Sequence, residues 1–80
     1  MTITLKKPAV KFLRRLPEAD KRRIMKAIDQ LPDAGDIQPL ETRPGVFRLR
    51  VGDFRVLFTV TDERVTVLTI GNRGEIYKGL

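Results

Sequence analysis

The chain opens on an alternation of polar and apolar residues, Thr2-Ile3-Thr4-Leu5, whose β-branched members suit a short strand. The period then lengthens. Ala9, Phe12, Leu13 and Leu16 fall at 0, +3, +4 and +7, the stripe of an amphipathic helix. Pro8 suits the first turn of that helix, where the N–H it lacks would have no partner. Pro17 breaks the pattern, and Ile24, Ala27, Ile28 and Leu31 repeat the same spacing after it. Glu18 and Asp20 fall where the positive end of this second helix favours carboxylates. The two stripes predict a helical hairpin with one apolar side, its outer side carrying Arg14, Arg15, Lys21, Arg22 and Lys26. Pro32-Asp33-Ala34-Gly35-Asp36 ends the helical region.

From Val46 the period is two. Residues 46–51, 54–61 and 65–70 read as three strands, separated by Gly52-Asp53 and Asp62-Glu63. Helices grouped before strands predict an α+β fold, in which an N-terminal strand and a helical hairpin pack on a small antiparallel β-sheet. One domain is expected over residues 1–80. Periodicity does not fix where the first strand joins the sheet.

A two-residue loop at Gly52-Asp53 sets a register. Val51 faces Phe54, Arg50 faces Arg55, Leu49 faces Val56, Arg48 faces Leu57 and Phe47 faces Phe58. Side chains alternate between faces, so Phe47, Leu49, Val51, Phe54, Val56 and Phe58 share the core side. Arg48, Arg50 and Arg55 share the other side. Arg50 and Arg55 are directly opposed, with Cβ atoms about 5 Å apart. Two like charges that close repel by about 1 kcal/mol in water and by more in a partly dry site. A bound anion relieves that repulsion through bidentate arginine–phosphate bonds. The competing reading is a solvated strand face whose arginine stems cover apolar surface. If Asp62-Glu63 is also a two-residue loop, Ile70 faces Arg55, and Gly71-Asn72-Arg73 leaves the strand beside it. Glu75, Tyr77 and Lys78 follow closely.

Composition narrows the chemistry. Eighty residues and 9.2 kDa suit a single small core. Cysteine, histidine and tryptophan are absent, which removes disulfides, thiolate and imidazole metal sites, Ser-His-Asp triads and the commonest general base. Of the pairs Asp53 with Glu75 and Asp62 with Glu63, three of the four carboxylates are explained better as turn residues than as metal ligands, so no metal and no cofactor is expected. Gly71-Asn72-Arg73-Gly74 lacks the Lys-Ser/Thr of a phosphate-binding P-loop. Sixteen Lys and Arg against ten Asp and Glu leave a net charge of +6. Ten of the cations are arginine, whose planar fork suits phosphates. A polyanion is the partner this balance favours. No stretch approaches the roughly 18 apolar residues of a membrane span, and residues 1–7 lack the apolar core of a secretory signal. The expectation is a cytoplasmic protein without membrane association.

At Pro44-Gly45-Val46-Phe47-Arg48-Leu49-Arg50-Val51-Gly52-Asp53-Phe54-Arg55-Val56-Leu57-Phe58 the sequence resembles the RelE/ParE superfamily of type II toxins. The resemblance continues at Gly71-Asn72-Arg73-Gly74-Glu75-Ile76-Tyr77 and covers nearly the whole chain, including the Leu-Pro between the helices. It implies a toxin held inactive by a cognate antitoxin protein. The RelE-like branch, favoured here, implies a ribosome-dependent endoribonuclease, or mRNA interferase, that inhibits translation by cleaving mRNA on the ribosome. The ParE branch implies instead a DNA gyrase poison without nuclease activity. A third reading is a basic binding module without toxicity. Carried over by position, the catalytic residues of the RelE branch fall on Arg48, Arg50, Arg55, Arg73 and Tyr77. Arg48, Arg50, Arg55 and Lys78 are the expected RNA-binding residues. The chain departs from the family at Asn72, where many relatives carry histidine, and at Gly74 and Glu75, where they carry basic residues.

Overall fold

Residues 2–74 are described by a computed structural model of the chain. The alternating N-terminal residues form strand β1 (Thr2–Leu5). Helix α1 (Lys7–Arg14) follows with Pro8 in its first turn. It closes through tight bonds in which the N–H groups of Arg15 and Leu16 donate to the carbonyls of Phe12 and Leu13. Pro17, in extended geometry, is the N-cap of helix α2 (Glu18–Asp29), so the proline that ends one helix starts the next. Glu18 and Asp20 lie in the first turn of α2, and Glu18 pairs with Lys21 at 3.7 Å and Arg22 at 3.8 Å. These exposed pairs contribute roughly 0.3–0.5 kcal/mol each.

Four strands follow: β2 (Asp36–Pro39), β3 (Phe47–Val51), β4 (Phe54–Thr61) and β5 (Arg64–Asn72). The sheet order is β1-β5-β4-β3-β2. The expected α+β arrangement is present, with the strands from β2 to β5 antiparallel and β1, whose place periodicity left open, making the sheet mixed. β1 lies parallel to β5, Thr2 opposite Arg64 and Leu5 opposite Val67. A parallel neighbour requires a long crossover, which the helices and the remaining strands provide.

β2 was not legible as a strand. It has four residues, presents one apolar side chain (Ile37) and ends in Pro39, a residue the edge of a sheet tolerates and its centre does not. Gly35 leads into it with φ +123°, and a β-carbon there would lie 2.7 Å from Leu49 Cδ1. Glycine is required at that position twice over, by backbone conformation and by the approach of a buried leucine.

The helices cover one sheet face. Ala9 and Leu13 from α1, and Ile24 and Ile28 from α2 with Leu31 just beyond it, are buried with Leu49, Val51, Val56, Phe58, Val65, Val67 and Ile70. The stripes at 0, +3, +4 and +7 therefore face the sheet. Phe12 meets Phe54 edge-on with ring centres 6.0 Å apart, and Phe47 stacks on its cross-strand partner Phe58 at 5.7 Å. Such pairs add about 0.5–1.5 kcal/mol each beyond the area they bury. No helix among the described residues is long and apolar enough to cross a membrane.

Candidate functional site

The β3–β4 register is the one the two-residue loop predicts: Phe47 with Phe58, Arg48 with Leu57, Leu49 with Val56, Arg50 with Arg55 and Val51 with Phe54. Gly52 takes φ +58°, the left-handed geometry that a tight hairpin turn needs. Arg48, Arg50 and Arg55 consequently leave the sheet on the face away from the helices, together with Leu57. Leu57 is buried but stands outside the helix-side core cluster.

The four arginines that sequence reasoning singled out have different surroundings. Arg50 is exposed. Arg55, its directly opposed neighbour, is buried to 6% exposure, which the competing reading of a solvated strand face does not provide for. Its Nη1 donates to the carbonyl oxygens of Gly52 at 2.7 Å and Phe54 at 2.9 Å, so the turn itself holds the guanidinium. Arg48 is mostly covered and pairs with Asp36 across β2 at 3.5 Å. Sequence reasoning missed that carboxylate because it missed β2. Arg73 is exposed and follows the end of β5, and its backbone N–H donates to the Asp53 carbonyl at 2.8 Å. The end of β5 is thereby tied to the same hairpin turn. Among the described residues, the ion pairs are Glu18 with Lys21 and Arg22, and Asp36 with Arg48. Arg50, Arg55 and Arg73 take part in none of them. Tyr77 and Lys78, also expected in the site, lie outside the described residues, as does Glu75.

One cross-strand expectation is corrected. Gly71, not Ile70, faces Arg55, because the β4–β5 register shifts by one residue between Leu57 and Phe58. The cause is packing. Val65, Val67 and Ile70 all reach the buried core, and the odd step from Val67 to Ile70 requires one additional residue in β5. Arg55 therefore has a cross-strand neighbour without a side chain, and Arg73 lies one residue nearer Arg55 along the strand than an unshifted register would place it.

The arrangement gathers cations at the end of a hairpin, against neutral backbone, with one carboxylate engaged by Arg48. A small oxyanion lying across Arg50 and Arg55 would replace their repulsion by charge-assisted hydrogen bonds. The basic helix surface is separate from this face. Arg14, Arg15, Arg22 and Lys26 are exposed there, and Lys21 is half-buried.

The model of the ParE toxin of type II toxin-antitoxin systems, parDE, matches residues 3–77. The chain belongs to this family, within the RelE/ParE superfamily of toxins. It is similar to a chain of the archaeal RelE-RelB complex from Pyrococcus horikoshii OT3, with 28% identity over 92% of this chain and 96% of that one and a TM-score of 0.74. It shares its fold with a chain of the Methanococcus jannaschii RelB-RelE antitoxin-toxin complex, at 24% identity, 92% and 94% coverage and a TM-score of 0.76. It also shares its fold with a chain of the chromosomal ParDE system of Pseudomonas aeruginosa, at 22% identity, 91% and 96% coverage and a TM-score of 0.75. Among curated proteins none matches the chain.

Proposed function

We propose that this toxin is an endoribonuclease that cleaves mRNA on the ribosome, in the cytoplasm, and that a cognate antitoxin protein restrains it. The observation that carries the reading is the directly opposed pair Arg50 and Arg55, without a carboxylate partner among the described residues, at the end of a hairpin. Such a pair weakens the free protein and strengthens a complex with a phosphodiester. Arg50 and Arg55 hold the phosphate undergoing attack and neutralise the charge that develops on its oxygens. Arg48, already bonded to Asp36, supports them from the adjoining position. Arg73 stabilises the leaving oxygen or polarises a proton donor. Tyr77, by its resemblance to the family's tyrosine, stacks on a base or assists removal of the 2′-hydroxyl proton, and Lys78 adds to RNA binding.

The reaction needs no metal and no water nucleophile. The substrate's 2′-oxygen attacks the adjacent phosphorus as its proton leaves to a base. The bond from phosphorus to the 5′-oxygen breaks, and that oxygen takes up a proton. The products are a 2′,3′-cyclic phosphate and a 5′-hydroxyl end, with no change of oxidation state. Positioning of the mRNA by the ribosome supplies much of the rate through orientation.

The match to the ParE family and the fold shared with the P. aeruginosa ParDE system favour a second reading, a DNA gyrase poison on the same scaffold. Sequencing of RNA ends from cells expressing the toxin, beside a gyrase supercoiling assay with the purified protein, separates the two. New mRNA ends with unaffected gyrase support the ribonuclease. Intact mRNA with inhibited gyrase replaces it by the second reading.

A further inference from the structure

Arg23 is the cation of α2 that the amphipathic pattern leaves unassigned. It precedes the buried Ile24 and sits on the flank of the helix, away from the outer positions of Lys21 and Arg22, which share Glu18. Its guanidinium lies on Gly52, filling the place where a β-carbon would stand. From that position Cζ is 2.9 Å and Nη1 3.2 Å away. The carbonyl of the same glycine accepts the hydrogen bond from Arg55 Nη1. Two guanidinium groups, from a helix and from a strand, thus meet at one residue of the hairpin turn, with Arg73 tied to the next residue through the Asp53 carbonyl. Among the described residues Arg23 has no carboxylate partner. Arg55 bonds to the turn, but bringing Arg23 to the same glycine adds only like charge there, whereas a polyanion passing the turn gains from both.

We propose that Arg23 is an RNA-binding residue of this site. Reaching over Gly52 from α2, it takes a second phosphate of the single-stranded RNA whose reacting phosphate lies on Arg50 and Arg55. Gly52 serves two ends at once. It permits the left-handed turn, and its missing side chain seats the guanidinium. The inference rests on the reading of the arginine face as an RNA site, and a binding measurement tests the two separately.

The probe is a fluorescent single-stranded RNA of about twelve nucleotides with 2′-O-methyl sugars, which the proposed chemistry leaves whole. Its affinity is measured by anisotropy between about 50 and 200 mM salt, a range over which phosphate contacts are strongly weakened. Each lost phosphate contact lowers the slope of log affinity against log salt by about 0.7 for a single strand. Arg23→Ala should lower the slope by about that amount, and Arg23→Lys should restore most of it. Arg22→Ala removes the same charge from the neighbouring outer position and should leave the slope unchanged. Arg23→Gln, which keeps the stem, takes the place of the alanine variant if that variant does not fold. Gly52→Ala puts a methyl where the guanidinium lies and should lose the same contact, so that adding Arg23→Ala lowers the slope no further. An unchanged slope in Arg23→Ala, an equal loss in Arg22→Ala, or a further drop in the double variant overturns the inference while wild-type binding stands. Wild-type protein without salt-dependent RNA binding overturns both this inference and the reading beneath it.

Discussion

Arg50 and Arg55 face one another across a single ladder position, yet truncating them should have opposite consequences for stability. Arg55 is 6% exposed and donates two hydrogen bonds to backbone carbonyls at 2.7 and 2.9 Å. Hydrogen bonds from a charged group contribute about 1.5–3 kcal/mol each when measured by mutation. Against them stands the repulsion from Arg50, about 1 kcal/mol at 4 Å in water and about 4 kcal/mol at the dielectric of a protein surface. Arg50 is exposed, so the smaller value applies more closely. The Gly52 carbonyl lies in an exposed turn and is hydrated once Arg55 is gone, which recovers part of the loss. Arg55→Ala should then cost about 1–3 kcal/mol, whereas Arg50→Ala should be neutral or stabilising by up to about 1 kcal/mol. For a domain of this size 1 kcal/mol moves the melting temperature by roughly 4–8 °C, so the two variants separate clearly in thermal or urea unfolding. In the Arg55→Ala background the benefit of Arg50→Ala should vanish, because the repulsion it relieved is absent. RNA cleavage should fall sharply in both single variants. Equal destabilisation by the two, or a neutral Arg55→Ala, would refute the account of how the turn holds Arg55.

The remaining predictions concern the frame and the chemistry. Gly35→Ala combines a φ of +123° with a contact of 2.7 Å to Leu49 and should destabilise by about 2 kcal/mol or more, whereas Gly45→Ala, at φ +83° in open space, should cost only about 1 kcal/mol of backbone strain in the same urea titration. Asp36→Ala removes the partner of Arg48 at 3.5 Å; stability should change by less than about 1 kcal/mol, while single-stranded RNA binding by anisotropy should strengthen through the freed cation. Cleavage should persist in chelator once ribosomal magnesium is controlled for, and should leave a 2′,3′-cyclic phosphate or the 3′-phosphate formed from it. A message with one 2′-deoxy sugar at the cut position should bind normally and stay whole in a primer-extension assay. Tyr77→Phe should lower the rate with binding retained if its hydroxyl takes part in proton transfer, and should leave the rate unchanged if the ring only stacks.

Much of this frame was written in local patterns. Two stripes of apolar residues specified the helices, and one tight turn specified which strand residues oppose one another. What escaped was non-local. β1 has the alternation of a strand, but its parallel neighbour lies at the far end of the chain, where no loop length constrains the pairing. β2 has too few apolar residues to show a period and carries Pro39 and the turn residues that read as loop. The shift in β5 was in principle readable from Val67 and Ile70, which stand an odd number of residues apart and cannot share a face without a bulge. Leu68, apolar and half-buried within the same run, hid it. Each omission altered the site: β2 brought Asp36 to Arg48, and the shift brought Gly71 rather than Ile70 opposite Arg55. The seat of Arg23 on Gly52 joins a helix flank to a distant turn and had no local signal at all.

The opposed arginines pose a question of specification, since a register that sets like charges face to face invites a slip. The period of a strand forbids the remedy. Moving β3 by one residue against β4 would turn Arg48 and Arg50 toward the helices and carry Leu49 and Val51 out to solvent. Each buried aliphatic side chain so exposed forfeits about 1.5–3 kcal/mol, and each unpaired guanidinium entering the core costs several more. A repulsion of order 1 kcal/mol at the surface is small beside those terms. The Phe47–Phe58 stack, the Gly52 turn and the two bonds from Arg55 to that turn all favour the observed pairing. The hydrophobic face therefore holds the register, and the charged face inherits an arrangement it would not adopt alone. In a pair built this way Arg50 needs no stabilising contact of its own in the free protein, and Arg55 is held by neutral backbone carbonyls. That is why the arginines can remain available to a phosphate rather than being neutralised by carboxylates.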